Sequence, residues 1–248
     1  MMSVTALFGA PRRLAGRFAR WFATRWAPYN TTAFRRKAVP APLVVDVFYR
    51  IRTIPGWFNA DDCAHFHLVL SMQSMNGLRG DLLEIGSYHG RSAAVLASRL
   101  QPGERLVVCD AFEAPVDDPY PTICTPQQLW SNLKILVPEL DRDTVEVYSC
   151  WSRELRLHAE RRFRFAHVDG GHRMEDALYD LRLCAQHIVP GGVVAVDDYQ
   201  HFRYPGVTEA VHSFLAERAD FSVLADLNRR GAIGRKVYLH RQRVDVRG

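Results

Sequence analysis

The stretch DLLEIGSYHGRSAAVLA, residues 81–97, decides the fold, because a strand pattern passes through a glycine turn into a helix pattern. Its first residues form a short apolar run that contains one acid, Glu84. Such a run suits a strand buried on both faces. The run SAAVLA after the turn suits a helix packed on a sheet. The stretch therefore predicts one strand–turn–helix unit of an α/β fold.

The same alternation continues along the chain. Four more apolar runs, dense in Val, Leu, Ile or aromatic residues, predict strands at 105–110, 145–149, 163–169 and 192–198. Helical patterns lie between the runs at 92–100, 125–136, 152–162 and 174–188. This order predicts a doubly wound, parallel α/β sheet. The tail, 221–227 and 234–240, predicts a hairpin at the sheet edge.

Carboxylates collect at the predicted ends of these strands. A doubly wound sheet binds its ligand at the carboxyl ends of the strands. Since carboxylates are rarely buried without a partner, we expect this edge to bind a ligand. The acids that fall there are Glu84, Asp110, Asp169, Asp197 and Asp198.

The first turn favours S-adenosylmethionine over a dinucleotide. A dinucleotide turn needs G-x-G-x-x-G for close approach of a pyrophosphate, but Tyr88 stands where the second glycine belongs, and Glu84 would repel phosphate. S-adenosylmethionine carries an ammonium, a sulfonium and a ribose, and Asp110 stands where a carboxylate accepts ribose hydroxyls. The alternative is that Glu84 and Asp110 are solvated acids facing helices.

Composition indicates a soluble globular protein. The 248 residues suit one large domain with a small accessory segment, and no apolar stretch is long enough to predict a membrane span. The five scattered cysteines lack CxxC spacing, which favours a reducing, cytoplasmic compartment and argues against zinc.

Residues 1–55 are predicted to be a basic arm that precedes a cofactor-binding domain at 56–248. Residues 1–40 carry eight positive charges and no acid, within a chain of net charge +5. Residues 10–27 predict an amphipathic helix that either contacts the inner membrane surface or packs on the domain or a second subunit of a homo-oligomer. Its arginines exclude a secretory signal, whereas a transit peptide stays an alternative. We expect no nucleic-acid partner, because the rest of the chain is acidic.

Four segments together resemble the class I S-adenosylmethionine-dependent methyltransferases, and more narrowly the metal-dependent, macrocin-type sugar O-methyltransferases. The resemblance covers most of residues 56–240. It implies a seven-stranded, Rossmann-like sheet with an antiparallel last strand, and Mg²⁺-assisted methyl transfer to a hydroxyl of a sugar, secondary metabolite or glycolipid. The segments are LEIGSYHGRS (83–92), VVCDAF (107–112), HVDGGHRMEDALYDL (167–181) and VPGGVVAVDDYQHFRYPGVTEAV (189–211).

The resemblance also implies the site residues. Asp169, Asp197 and Asp198 would hold Mg²⁺, for which an all-oxygen set is suited. With Asp169, His172 would be catalytic and take the hydroxyl proton; alternatively it orients Asp169 or caps the next helix. HFRYPG (201–206) is an acceptor-loop candidate. The implied cofactor residues are Glu84, Gly86, Ser87, Tyr88, Gly90, Ser92 and Asp110, with Ser149, Trp151 and Ser152 for the adenine.

Two other functions stay open. One is a cephalosporin-hydroxylase-like enzyme with the same fold and metal. The other is a non-catalytic partner protein with a cofactor fold, against which the three converging carboxylates argue.

Overall fold

The computed structural model describes residues 44–112 and 124–243. The amphipathic helix predicted at 10–27 lies outside the described residues, as does most of the predicted arm. No helix among the described residues is long and apolar enough to cross a membrane.

The described residues form seven strands and six helices, and the strands follow the predicted order along the chain. The strands are β1 Asp81–Ile85, β2 Leu106–Asp110, β3 Val145–Ser149, β4 Phe163–Val168, β5 Ile188–Tyr199, β6 Phe221–Leu227 and β7 Arg235–Arg241. The helices are α1 Val44–Ile51, α2 Ala60–Met75, α3 Arg91–Ala97, α4 Pro126–Leu136, α5 Met174–His187 and α6 Pro205–Glu217, with a 3₁₀ turn at Arg142–Thr144.

The strands form one sheet in the order β3-β2-β1-β4-β5-β7-β6. The first five strands along the chain pair in parallel, whereas β7 is antiparallel to both β5 and β6. This topology confirms the predicted fold, including the antiparallel last strand and the hairpin at the sheet edge. Because β1, β2, β4 and β5 are neighbours, their carboxyl ends meet at one edge.

Both faces of the sheet are covered by helices. Alternate residues point to opposite faces, so Leu82 packs in a core with α1 to α4, and Leu83 packs in a second core with α5 and α6. Burial on both faces explains why the central strands are continuous apolar runs.

The residues before α2 are fastened to the turn that starts α3. Ile51 and Ile54 are buried in the first core. The Arg91 guanidinium donates hydrogen bonds to the carbonyls of Ile54 and Phe58. Arg91 therefore holds the segment before α2 against the start of α3. The domain boundary predicted at residue 55 stays a prediction.

The helix predicted at 152–162 is wrong. This segment consists of turns, closed by hydrogen bonds such as those from the Leu155 amide to the Ser152 carbonyl and from the Arg161 amide to the His158 carbonyl. Leu155 is its one fully buried apolar side chain. Without a continuous apolar stripe, a helix here would have no face to pack against the sheet.

Gly86 brings the end of β1 into direct contact with the end of β4. Its φ is +79°, and a Cβ at this position would lie 2.0 Å from the Asp169 carbonyl oxygen. The Asp169 amide donates to the Ile85 carbonyl at 2.8 Å, which closes the contact. Glycine is required here both by the left-handed backbone and by the lack of space.

We expect Gly86→Ala to destabilise the protein more than Gly103→Ala does. Gly103 has a similar φ of +85°, but a Cβ at this position would have no atom within 4 Å. The Gly103→Ala variant therefore carries the backbone strain without a steric clash. The clash at Gly86 should add about 1–3 kcal/mol to the loss in free energy of unfolding. Urea unfolding of both variants measures the difference, and equal losses would contradict the close contact.

Candidate active site

Asp110 fastens the turn between β1 and α3 to the end of β2. One of its carboxylate oxygens accepts hydrogen bonds from the backbone amides of Ser87 at 2.6 Å and Tyr88 at 2.8 Å. The other accepts the Phe112 amide at 2.7 Å. The structure thus brings together the acid and the glycine turn that the sequence assigned to the cofactor.

The remaining residues assigned to the turn lie beside one another. Gly90 caps the start of α3 with φ +81°, and Tyr88 also has a positive φ. Ser92 is buried in the first turn of α3. The buried Ser87 hydroxyl has no hydrogen-bond partner within the described part of the chain. The turn therefore presents an unsatisfied polar atom next to Asp110.

The end of β3 continues this edge. Ser149 pairs with Asp110 in the parallel ladder, and the Cys150 amide donates to the Asp110 carbonyl at 3.0 Å. Trp151 is 48% exposed, so it is not part of the core. Trp151 and Ser152 directly follow Cys150 in the chain, just after this contact with Asp110.

Glu84 lies beneath the turn and is fully buried, so the alternative of a solvated acid is wrong for this residue. One of its oxygens accepts the His167 Nδ1–H at 2.9 Å. The other oxygen has no hydrogen-bond partner among the residues that the structure describes. A buried carboxylate with an unsatisfied oxygen favours a cationic ligand nearby.

A cleft beside the turn is lined by Asp169, His172, Asp197 and Asp198. His172 Nε2 lies 3.3 Å from an oxygen of Asp198. The His172 ring stacks on Tyr204, with 3.8 Å between the centroids and 16° between the planes. The structure therefore forms an Asp–His pair whose ring orientation is fixed by an aromatic neighbour.

Asp197 is surrounded by donors. One carboxylate oxygen accepts a hydrogen bond from the Lys236 ammonium at 2.6 Å. The other oxygen lies 2.6 Å from Arg229 Nη2 and accepts a hydrogen bond from the Asp198 backbone amide at 2.8 Å. Burial favours the neutral acid, but the charges of Lys236 and Arg229 prevail and lower the pKa of Asp197. Burial and the Asp197 charge raise the pKa of Asp169.

Three buried charges of this site were not predicted, namely Asp62, Arg229 and Lys236. Neither was the buried His167, whose Nε2 lies 2.9 Å from the Lys236 ammonium. The available signal was Lys236 inside the apolar strand run KVYL, since a charge buried on both faces of a sheet must find a partner.

The predicted magnesium triad is not assembled as a set of free ligands. Among the described residues, the group whose potential ligand atoms lie within 4.8 Å of one another is His167, Asp169 and Asp197. His167 Nε2 and both Asp197 oxygens already pair with Lys236 or Arg229. Asp198 pairs with His172. This arrangement does not fit a divalent cation, whereas the unsatisfied oxygens of Glu84 and Ser87 fit a ligand with an ammonium group.

Comparison with protein families gives a match over most of the sheet. Residues 83–199 match the model of a methyltransferase domain. These residues form a methyltransferase domain. The match runs from within β1 to the end of β5 and includes Asp169, His172, Asp197 and Asp198 of the cleft, and it confirms the methyltransferase recognition made from the sequence. No curated protein matches the chain.

Solved structures share the fold of this methyltransferase domain. The O-methyltransferase NovP is 19% identical, with a TM-score of 0.60 over 75% of this chain and 81% of that one. TomG from Streptomyces achromogenes, solved with S-adenosylmethionine, is 17% identical, with a TM-score of 0.52 over 84% and 92%. CalS11, a TDP-rhamnose 3′-O-methyltransferase, is 18% identical, with a TM-score of 0.53 over 82% and 96%. At these identities the likeness shows the fold.

Asp180 of α5 lies under the DGG turn. A Cβ at Gly170 would be 3.0 Å from one of its oxygens, and its polar side-chain neighbour is Ser152. Burial raises the pKa of Asp180 to about 7. The folded protein therefore holds this proton more tightly than the unfolded chain, in which an Asp titrates near pH ~3.9.

We expect Asp180 to make the protein less stable as pH rises from 5 to 8. Below the unfolded pKa its contribution to stability is fully present, and it is lost as pH rises towards the folded pKa near 7. Asp180→Asn should remove about 2–3 kcal/mol of this fall in unfolding free energy. Urea unfolding at pH 5 and pH 8 measures it, and identical pH profiles would contradict the burial of an acid here.

Proposed function

We propose that this protein is an S-adenosylmethionine-dependent O-methyltransferase that acts on a hydroxyl of a sugar or related small molecule. The observation that carries the proposal is the His172–Asp198 pair in a cleft beside the turn held by Asp110. The methyltransferase-domain match supports the reaction class. The sugar acceptor is supported by the fold shared with CalS11, a TDP-rhamnose 3′-O-methyltransferase.

The cofactor residues follow from the strand ends. Asp110 accepts the ribose hydroxyls, and Ser87 bonds the methionine end. Trp151 and its neighbouring serines, Ser149 and Ser152, receive the adenine. The negative charge of Glu84, buried beneath the turn, complements the positive charge of the ligand. When bound, S-adenosylmethionine supplies an electrophilic methyl group on a sulfonium.

The chain's own residues move the acceptor proton. The acceptor hydroxyl donates its proton to His172, as its oxygen forms a bond to the methyl carbon and the carbon–sulfur bond breaks. Asp198 orients the imidazole and stabilises the imidazolium that results. The products are the methyl ether and S-adenosylhomocysteine, with the proton on His172. No step of this reaction passes through a metal.

Several finer predictions stay predictions. Asp197 is occupied by Lys236 and Arg229, which argues against Mg²⁺ at the predicted triad. A glycolipid acceptor, a homo-oligomer and contact of residues 10–27 with a membrane rest on sequence pattern and resemblance.

We expect Asp110→Ala to weaken S-adenosylmethionine binding by about 1.5–3 kcal/mol, because it removes charged hydrogen bonds to the ribose and loosens the turn. Isothermal titration calorimetry measures the affinity. Asp141→Ala is the matched control, since Asp141 caps the exposed 3₁₀ turn. Unchanged affinity in Asp110→Ala would contradict its assigned role, and tight binding of NAD by the wild type would contradict the cofactor.

We expect His172→Ala to lower turnover about 10²–10⁴-fold while cofactor affinity changes little. Residual turnover should rise with pH, because ionisation of the acceptor replaces the lost base. Wild type, His172→Ala and the exposed control His158→Ala are compared by mass spectrometry, with an acceptor found by screening sugar nucleotides and other hydroxyl compounds. Normal turnover in His172→Ala would show that another group removes the proton.

A further inference from the structure

Two buried cations converge on Asp197 from the tail of the chain. Lys236 is on β7, whose residue Val237 pairs with Val196 of β5, so the ladder places Lys236 beside Asp197. Arg229 lies between β6 and β7 and reaches the same carboxylate. Its guanidinium also donates to the Gly234 carbonyl at 3.2 Å, which fixes its direction.

The charges of this group balance. Besides Asp197, the fully buried Asp62 of α2 lies 3.5 Å from Arg229 and 3.9 Å from Lys236. Two carboxylates thus face two cations, and the side chains of Lys236 and Asp62 are fully buried, whereas that of Asp197 is 10% exposed where it lines the cleft. Buried ions are stable only when they are paired in this way, so the charge of Asp197 is already balanced and is not available to a divalent ion.

The surroundings of Lys236 exclude water. Its ammonium lies 5.3 Å from the ring centroid of Phe66 and 5.5 Å from that of Phe58, and the side chain has no exposed surface. The remaining near neighbour is His167 Nε2 at 2.9 Å. Since an ammonium only donates, Nε2 accepts, and the His167 proton is on Nδ1, facing Glu84.

The residue type agrees with this role. Lysine occurs at three positions in a chain with 32 lysines and arginines in total, so arginine is this chain's ordinary cation. A lysine ammonium is a compact point charge, whereas a guanidinium is a broad planar group. At position 236 the chain has the side chain whose charge most nearly resembles a bound metal ion.

We propose that Lys236, together with Arg229, occupies the cation position beside Asp197. This chain then binds no divalent metal at Asp169, Asp197 and Asp198. Lys236 is a positioning residue: it holds Asp197, whose oxygen in turn accepts the Asp198 amide. Methyl transfer then proceeds without a metal, a consequence that rests on the proposed function.

Electron paramagnetic resonance with Mn²⁺ alone tests the metal exclusion without any need for activity. We expect the wild type to show no stoichiometric Mn²⁺ binding. Lys236→Met removes the ammonium and should raise Mn²⁺ affinity at least tenfold, and Arg229→Gln should act in the same direction. Lys134→Met, at an exposed lysine of α4, is the matched control and should show no gain. Circular dichroism checks that each variant is folded.

One Mn²⁺ bound tightly by the wild type, and lost in Asp197→Asn, would overturn the proposal. So would folded Lys236→Met and Arg229→Gln variants that both bind no Mn²⁺, because the cations would then not be what excludes the metal. If Lys236→Met does not fold, Arg229→Gln and the wild-type measurement decide. Calorimetry of the wild type with S-adenosylmethionine is a separate measurement. If it shows no binding, the proposed function is contradicted, while the Mn²⁺ result is unchanged.

Discussion

The ion pairs of Asp197 with Lys236 and Arg229 determine the geometry of the cleft. Because Asp197 is held by these cations, its oxygen is placed to accept the Asp198 amide. Asp198 adopts a left-handed φ of +54°, which few non-glycine residues do. Its carboxylate then faces His172. A buried contact between β5 and β7 thus fixes the position of the Asp–His pair at the surface of the cleft.

The same group of buried charges shapes the field at the cofactor turn. Lys236 and Arg229 balance Asp197 and Asp62, but within the described part of the chain Glu84 pairs with a histidine alone. Burial and the Lys236 charge lower the pKa of His167, so this histidine is neutral and leaves the Glu84 charge uncompensated. A cationic ligand at the turn would complete the balance, and a phosphate would worsen it.

Local pattern predicted much of this fold and of the cleft. Apolar runs marked all seven strands, and parallel topology alone placed Asp110, Asp169 and Asp197 at one edge. The helix expected at 152–162 failed because its charged side chains give no face to bury. The pairing of Asp197 with Arg229 and Lys236 was not predicted, since both residues lie about thirty to forty residues further along the chain and the run KVYL signals only that Lys236 needs some partner. The strand-end acids predict a cation at this edge, and the cations that the structure places beside Asp197 come from the tail of the chain.

The base and the expected acceptor loop form one structural unit. Tyr204 stacks on His172 and also on His201, with 4.5 Å between the latter ring centroids. Gly206 fits closely against the start of α5, since a Cβ there would lie 2.6 Å from the Met174 amide nitrogen. The loop that follows β5 is therefore packed against the turn that follows β4. Under the proposed mechanism, an acceptor that shifts HFRYPG also shifts the imidazole that takes its proton, so acceptor recognition and proton transfer are mechanically linked.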